Sequence, residues 1–195
     1  MECLEKWERV IGIDFEYRSG PPPEPVCMVA IEFNTGKKWE VFFDPGSNCS
    51  CPIDFNRNDL VVAHNFSAEA SCFEVLGWKL PPHICCTMAE YRNLTNGLKH
   101  RYGLIEACKV MGIPCVESSH KDKMRDLALR GWPYTEEEKR ALMDYCSTDV
   151  EVLIPLVGKL KPGNQALIRG RYSAENGLMS VRGVPVDASG LNEFK

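Results

Sequence analysis

The chain has 195 residues, of which 44% are hydrophobic and 26% are charged, and its formal net charge is −4 at pH 7. This is the composition of a globular domain, so wholesale disorder is excluded, and the overall charge gives no support for a nucleic-acid partner. No apolar run reaches the ~18–20 residues of a membrane-spanning helix, and charges interrupt the N-terminal segment, so we expect neither a membrane span nor a signal peptide.

The first half of the chain is typical of strands separated by short turns. The predicted strands are short apolar segments, rich in β-branched residues, at 10–17, 25–33, 39–43, 60–63 and 83–86. Gly36 and Lys37 lie in a turn, so the first three strands are predicted to form an antiparallel meander. A helix over 67–76 is predicted to follow the fourth strand.

The second half changes to helices, predicted at 104–111, 122–129, 135–160 and 165–181. Thr135 and Glu138 have the spacing of a capping box, and Pro155 is predicted to kink the long helix or to split it in two. The last helix is predicted to end at Gly183. Strands first and helices later, with some alternation between them, favour an α/β fold with a mixed sheet.

Ten cysteines are present, yet the chain contains no Cys-x-x-Cys. The close pairs Cys49/Cys51 and Cys85/Cys86 have the wrong spacing for a standard zinc knuckle, and disulfide scaffolds are shorter and denser in cysteine. We therefore expect free thiols in a reducing cytosol, most of them packed as small hydrophobic side chains.

Two acids close the otherwise apolar first strand. Asp14 and Glu16 are two residues apart, so a strand places both carboxylates on one face. Such a pair costs free energy unless a cation balances it, and hard oxygen ligands suit Mg²⁺ or Mn²⁺. The alternative interpretation is a solvated strand end, since exposed acids are common.

Two further groups of polar residues lie on or beside predicted elements. Tyr145 and Asp149 are four residues apart on the best-supported helix and therefore share a face. His64 and Asn65 follow the fourth strand, and Glu69 lies in the first turn of the next helix, where an acid also favours the helix dipole. Taken singly, each group is equally typical of surface acids, turn residues and packed side chains.

In their order along the chain, these groups resemble the DEDD exonuclease superfamily. The likeness consists of an acid-x-acid strand, an Asn-containing turn with an acid four residues later, and Tyr-x-x-x-Asp on a late helix. Tyr145 is similar to the tyrosine subtype, since the histidine subtype has His where this chain has Asp144. The second-motif acid is usually Asp, and Glu69 departs from that pattern by one methylene group.

The resemblance implies a ribonuclease H-like mixed β-sheet, an antiparallel meander plus parallel strands, flanked by helices. The segment 166–187 is also similar to the start of the polymerase region in family A DNA polymerases, particularly phage-like and bacterial ones. On this resemblance, residues 1–162 form a 3′–5′ exonuclease domain and residues 163–195 a C-terminal helix of a truncated polymerase region. Such a chain would act in proofreading during DNA replication, in the cytoplasm of a bacterial or phage-infected cell.

The implied reaction is hydrolysis of the terminal phosphodiester at the 3′ end of single-stranded DNA, which releases nucleoside 5′-monophosphates. The catalytic residues carried over from the family are Asp14, Glu16, Glu69, Tyr145 and Asp149. Of these, the four acids would hold two Mg²⁺ or Mn²⁺ ions, and Tyr145 would orient the attacking water.

The residues expected to contact substrate are Phe15, His64, Asn65, Lys121 and Arg125. Asn65 and His64 are the candidates for the terminal nucleotide. Lys121 and Arg125 belong to the part of the chain beyond residue 91, where cations outnumber acids. Phe15 is a candidate for stacking on a base, although strand alternation turns it away from Asp14 and Glu16.

Three other interpretations stay open on the sequence. The chain can be an RNA exonuclease of the same superfamily, which a comparison of DNA and RNA substrates would decide. It can be a catalytically impaired module that binds single strands, with Glu69 as the cause, in which case Glu69→Asp would restore cleavage. It can also be a structural domain without a site, in which case it would bind no metal.

Overall fold

A five-stranded mixed sheet forms the centre of the computed structural model, which describes residues 4–46, 49–115 and 118–193. The strands are β1 (Arg9–Arg18), β2 (Glu24–Glu32), β3 (Lys38–Phe42), β4 (Asp59–Ala63) and β5 (Ile84–Cys86). Their order is β3-β2-β1-β4-β5, with β1, β2 and β3 antiparallel and β4 and β5 parallel to β1. The predicted meander and the predicted α/β class with a mixed sheet are therefore confirmed.

The described part of the chain contains eight helices. They are α1 (Phe66–Val75), α2 (Thr87–Leu94), α3 (Leu104–Met111), α4 (Ser118–Arg130), α5 (Glu136–Glu151), α6 (Leu153–Leu160), α7 (Ala166–Arg182) and α8 (Ala188–Glu193). Helices α2 and α8 were not predicted, because both are short and mostly polar, with little apolar periodicity. Pro155 lies in the first turn of α6, where its missing N–H is tolerated, so the long predicted helix is split at Val152.

Side chains of β1 alternate between two cores. Ile11 and Ile13 pack on one face of the sheet, in a cluster that includes Phe73 of α1. Val10 lies in the cluster on the other face, with Val150 of α5. Because a strand repeats every two residues, Asp14 and Glu16 share the face of Val10 and point towards the side that α5 covers.

Helix α7 packs against α1 and β5 through small residues. A Cβ at Gly170 would collide with the carbonyl oxygen of Ile84, and one at Gly177 with the carbonyl oxygen of Ser67. This close approach fixes α7 on the sheet domain. The domain boundary at residue 162 and the polymerase region beyond it stay predictions.

The cysteines and the helices agree with two expectations from composition. All nine cysteines in the described ranges are free thiols, and most are buried, while Cys3 lies outside those ranges. Within the same ranges, every helix is too short or too polar to cross a bilayer.

Candidate functional site

Three carboxylates from two elements meet on the face of the sheet that α5 covers. Asp14 and Glu16 come from β1, and Asp149 comes from the last turns of α5, which packs across β1 and β2. One carboxylate oxygen of each lies within 4.8 Å of the others, and all three residues are half-buried. The structure thus brings together residues that are more than 130 positions apart in the chain.

The cluster carries more negative charge than its surroundings balance. Burial, followed by repulsion from Asp149, raises the pKa of Asp14 from its ordinary 3.8 to about 7. The same two causes, burial first and then the charges of Asp14 and Asp149, hold the pKa of Glu16 well above its usual range. Carboxylates that resist ionisation in this way fit a divalent cation, since it would neutralise them and accept their oxygens as ligands.

Asp149 has two partners on a single oxygen. Oδ2 accepts a hydrogen bond from the hydroxyl of Tyr145 at 2.8 Å and lies 3.2 Å from the ammonium of Lys121 on α4. Tyr145 is 3% exposed, and burial together with the charge of Asp149 raises the pKa of its hydroxyl. The hydroxyl therefore keeps its proton and acts as a hydrogen-bond donor at the centre of the site.

Glu69 adds a fourth, deeply buried carboxyl group. It lies in the first turn of α1 and is 2% exposed. Burial and the charge of Asp14 raise its pKa well above the usual range. Its Oε2 has no hydrogen-bond partner among the described residues, so this atom is free to contact a cation or a water bound to one.

Cys146 is a site residue that the sequence did not reveal. Its thiol lies 3.3 Å from Oδ2 of Asp14 and 3.2 Å from the carbonyl oxygen of the same residue, and it donates to this pair of acceptors. The contact orients the Asp14 carboxylate from the α5 side. Its only sequence signal is its place beside Tyr145 on the packed face of the helix, which is equally typical of a core cysteine.

The turn between β4 and α1 forms one wall of the cleft. Nε2 of His64 lies 2.8 Å from the carbonyl oxygen of Tyr102, so it carries the proton, and Nδ1 accepts from the hydroxyl of Thr87 at 2.9 Å. Burial lowers the pKa of His64 to about 4, which keeps the ring neutral. With both nitrogens engaged, His64 braces the turn that presents Asn65.

Asn65 is presented by unusual backbone geometry. Its φ of 68° is in the left-handed region, which Asn tolerates better than most residues. The side-chain oxygen accepts a hydrogen bond from the hydroxyl of Ser67 at 2.8 Å, and the side chain lines the cleft beside Asp14 and Asp149. Asn65 therefore stands at the point where a ligand would approach the carboxylates.

The cleft consists of two adjoining cavities of about 330 and 350 Å³, which share Asp14, Asn65, Lys121 and Asp149. Lys121 and Arg125 of α4 both line the first cavity, where they form a cationic wall. Met88, Tyr102 and Leu104 line the second cavity, and none of them was predicted as a site residue.

Phe15 is the predicted substrate contact that the structure contradicts. It is 4% exposed and packs among Phe43, Phe73 and Trp78 on the face of the sheet opposite the carboxylates. Strand alternation turns its ring into the core, so it has no free face for a base.

The similarity to known proteins is a similarity of fold to solved structures. No protein-family model and no curated protein matches the chain. NrnC of Brucella melitensis superposes with a TM-score of 0.67 at 16% identity, covering 92% of this chain and 89% of that one. RNase D of Trypanosoma brucei in complex with RNA U12 gives 0.62 at 13% identity, covering 95% and 68%.

RNase D of Escherichia coli, described as an exoribonuclease involved in structured RNA processing, gives a TM-score of 0.56 at 12% identity, covering 94% of this chain and 48% of that one. The Brucella protein has also been solved with bound Mg²⁺ and bound to pGG. At such identities the likeness shows the fold, so the ribonuclease H-like mixed sheet is confirmed. This likeness in fold gives no support to the resemblance between residues 166–187 and a polymerase region.

Proposed function

We propose that the protein is a metal-dependent 3′–5′ exonuclease that hydrolyses the terminal phosphodiester of single-stranded RNA and releases nucleoside 5′-monophosphates. The observation that carries the proposal is the convergence of Asp14, Glu16 and Asp149 within 4.8 Å, in a cleft that Tyr145 also lines. RNA is favoured over DNA because structures of similar fold contain RNA U12 and pGG.

The donor set fits Mg²⁺ or Mn²⁺, because it consists of carboxylate oxygens and includes the unpartnered Oε2 of Glu69. Asp14, Glu16 and Asp149 would hold one ion, and Asp14 with Glu69 a second. When bound, the ions supply positive charge that stabilises the attacking and leaving oxygens of phosphoryl transfer. Glu69 is not among the three carboxylates that lie within 4.8 Å of one another, but its buried carboxyl group interacts electrostatically with Asp14, so it would contact the second ion through a water.

The remaining side chains position water and substrate. Tyr145 keeps its proton, so its hydroxyl can turn from Asp149 to hydrogen-bond the attacking water and orient it. Lys121 exchanges its contact with Asp149 for a phosphate oxygen of the strand. The amide of Asn65 faces the terminal nucleotide, and Arg125 contacts the backbone from the cationic wall.

The test uses single-stranded RNA and DNA of equal length and sequence, labelled at either end, with Mg²⁺, Mn²⁺ or EDTA. We expect the 5′-labelled RNA to shorten stepwise and the DNA to be cut at least tenfold more slowly. Faster cleavage of DNA than of RNA would favour the proofreading interpretation instead. Early release of the label at the 5′ end would contradict the 3′–5′ direction of cleavage. Because the described cysteines are free thiols, we also propose a reducing compartment, the cytoplasm, as its location.

A further inference from the structure

A second groove, of about 670 Å³, leads out of the cleft between α2 and α7. Asn65 and Tyr102 line both spaces, so the groove adjoins the carboxylate site. Its walls include Arg92 of α2 and Tyr172 and Asn176 of α7. It therefore offers a path for a ligand that is longer than the cleft itself can hold.

The lining of the groove has the chemistry of a single-strand path. The guanidinium of Arg92 stacks over the ring of Tyr102 at 4.8 Å, which fixes a cation beside the cleft. Tyr172 is 70% exposed and presents an aromatic ring from α7. Side-chain amides of Asn93, Asn96 and Asn176 provide donors and acceptors along the walls.

No carboxylate lines this groove among the described residues, in contrast to the cleft. Glu90 of α2 is 4% exposed, and both of its oxygens accept hydrogen bonds at 2.7 Å from Arg169, which lines the groove. The acid is thereby neutralised, and the groove stays without net negative charge towards a phosphate backbone. The same pair joins α2 to α7 and fixes the spacing of the two walls.

We propose that this groove binds the RNA nucleotides that lie on the 5′ side of the last two nucleotides at the 3′ end. The enzyme therefore favours single-stranded RNA of several nucleotides over a dinucleotide. The inference rests on the proposed function. Tyr172 stacks on a base, Arg92 pairs with a phosphate, and the amides contact sugars and base edges. Because stacking on an exposed ring tolerates any base, the groove selects for length rather than sequence.

The test compares KM and kcat for RNA of two and of seven nucleotides in the wild type, in Arg92→Ala with Tyr172→Ala, and in Arg171→Ala. Arg92 and Tyr172 are exposed, so their removal leaves folding intact, and Arg171 is a control from the same helix that does not line the groove. We expect the double variant to raise KM for the longer RNA about tenfold, with kcat within twofold. KM for the dinucleotide, and both constants in Arg171→Ala, should stay unchanged.

A KM that rises equally for both RNA lengths in the double variant, or a KM that stays unchanged for the longer RNA, would contradict the proposal. A second arm measures binding of 5′-fluorescein-labelled seven-nucleotide RNA by anisotropy, in an Asp14→Asn background where no cleavage intervenes. There the double variant should weaken binding about tenfold, and equal affinity would contradict the proposal. If the wild type cleaves neither RNA, the proposed function fails while the binding arm still decides whether the groove holds a strand.

Discussion

The ammonium of Lys121 lies 3.2 Å from Oδ2 of Asp149, at the mouth of the carboxylate cluster. It forms an ion pair with the cluster, and its charge lowers the pKa values of Asp14 and Glu16. Burial and mutual repulsion outweigh this effect, so one lysine does not balance three or four acids. Holding these carboxylates close together without a metal therefore costs free energy, and a divalent cation would remove this cost.

The first prediction concerns how stability depends on pH without metal. Between pH 3.8 and about 7, folded Asp14 holds a proton that the unfolded chain releases, so stability falls as pH rises through this window. The loss should be on the order of 2–4 kcal/mol. In EDTA, the Tm of the wild type should fall from pH 5 to pH 8. The fall should be less steep in Asp14→Asn, and Mg²⁺ should remove the fall in the wild type. A Tm that rises over this range would contradict the raised pKa.

The second prediction contrasts two buried glutamates. Glu69 and Glu90 are 2% and 4% exposed, but Glu69 has an unpartnered oxygen whereas Glu90 is held by Arg169 on both oxygens. In EDTA at pH 8, Glu69→Gln should stabilise the fold by about 1–2 kcal/mol and Glu90→Gln should destabilise it by about 2–3 kcal/mol. Denaturant unfolding measures both. Destabilisation by Glu69→Gln would mean that its carboxylate has a partner after all.

The third prediction separates the hydroxyl of Tyr145 from its ring. Tyr145→Phe keeps the buried ring and removes the donor to Asp149, so kcat should fall about 10²-fold with little change in KM. Tyr134→Phe is the matched control, because that buried hydroxyl donates to the backbone carbonyl oxygen of Ala128 and not to a carboxylate of the site. The control should cost about 1 kcal/mol of stability and leave kcat unchanged. Equal kcat values in both variants would show that the hydroxyl of Tyr145 takes no part in the reaction.

The fourth prediction tests whether α7 belongs to the fold of the sheet domain. Gly177→Ala places a methyl group against the backbone of Ser67, so Tm should fall by several degrees or α7 should detach. Gly158→Ala in α6 meets no atom within 4 Å and should raise stability by about 0.5–1 kcal/mol. If Gly177→Ala were as harmless as Gly158→Ala, α7 would be only loosely attached, as expected for the start of a separate region.

Local patterns in the sequence predicted most of the elements, because strand and helix periodicities are visible within a few residues. They also placed Asp14 with Glu16 and Tyr145 with Asp149, since each pair shares one element. The contact between β1 and α5 at these residues joins distant parts of the chain. It was predicted from the family resemblance and not from residue spacing.

What the sequence did not reveal depends on contacts between distant elements. Helix α2 was not predicted, and α7 was assigned to a polymerase region, so the groove between them had no visible signal. The pair of Glu90 and Arg169 is 79 residues apart, and nothing local to either residue indicates the other. Phe15 shows the opposite case: strand alternation already indicated the core, whereas the ability of an aromatic ring to stack on a base made it a candidate substrate contact.

The most direct test of the central claim is a Mn²⁺ titration that follows Tm and the cleavage rate of single-stranded RNA in the same samples, for the wild type and Asp14→Asn. The carboxylate site predicts that both signals rise with the same half-saturating Mn²⁺ concentration in the wild type and that both are lost in the variant. Cleavage that persists in EDTA or in Asp14→Asn, or a Tm that is indifferent to Mn²⁺, would contradict a metal-dependent nuclease at this site.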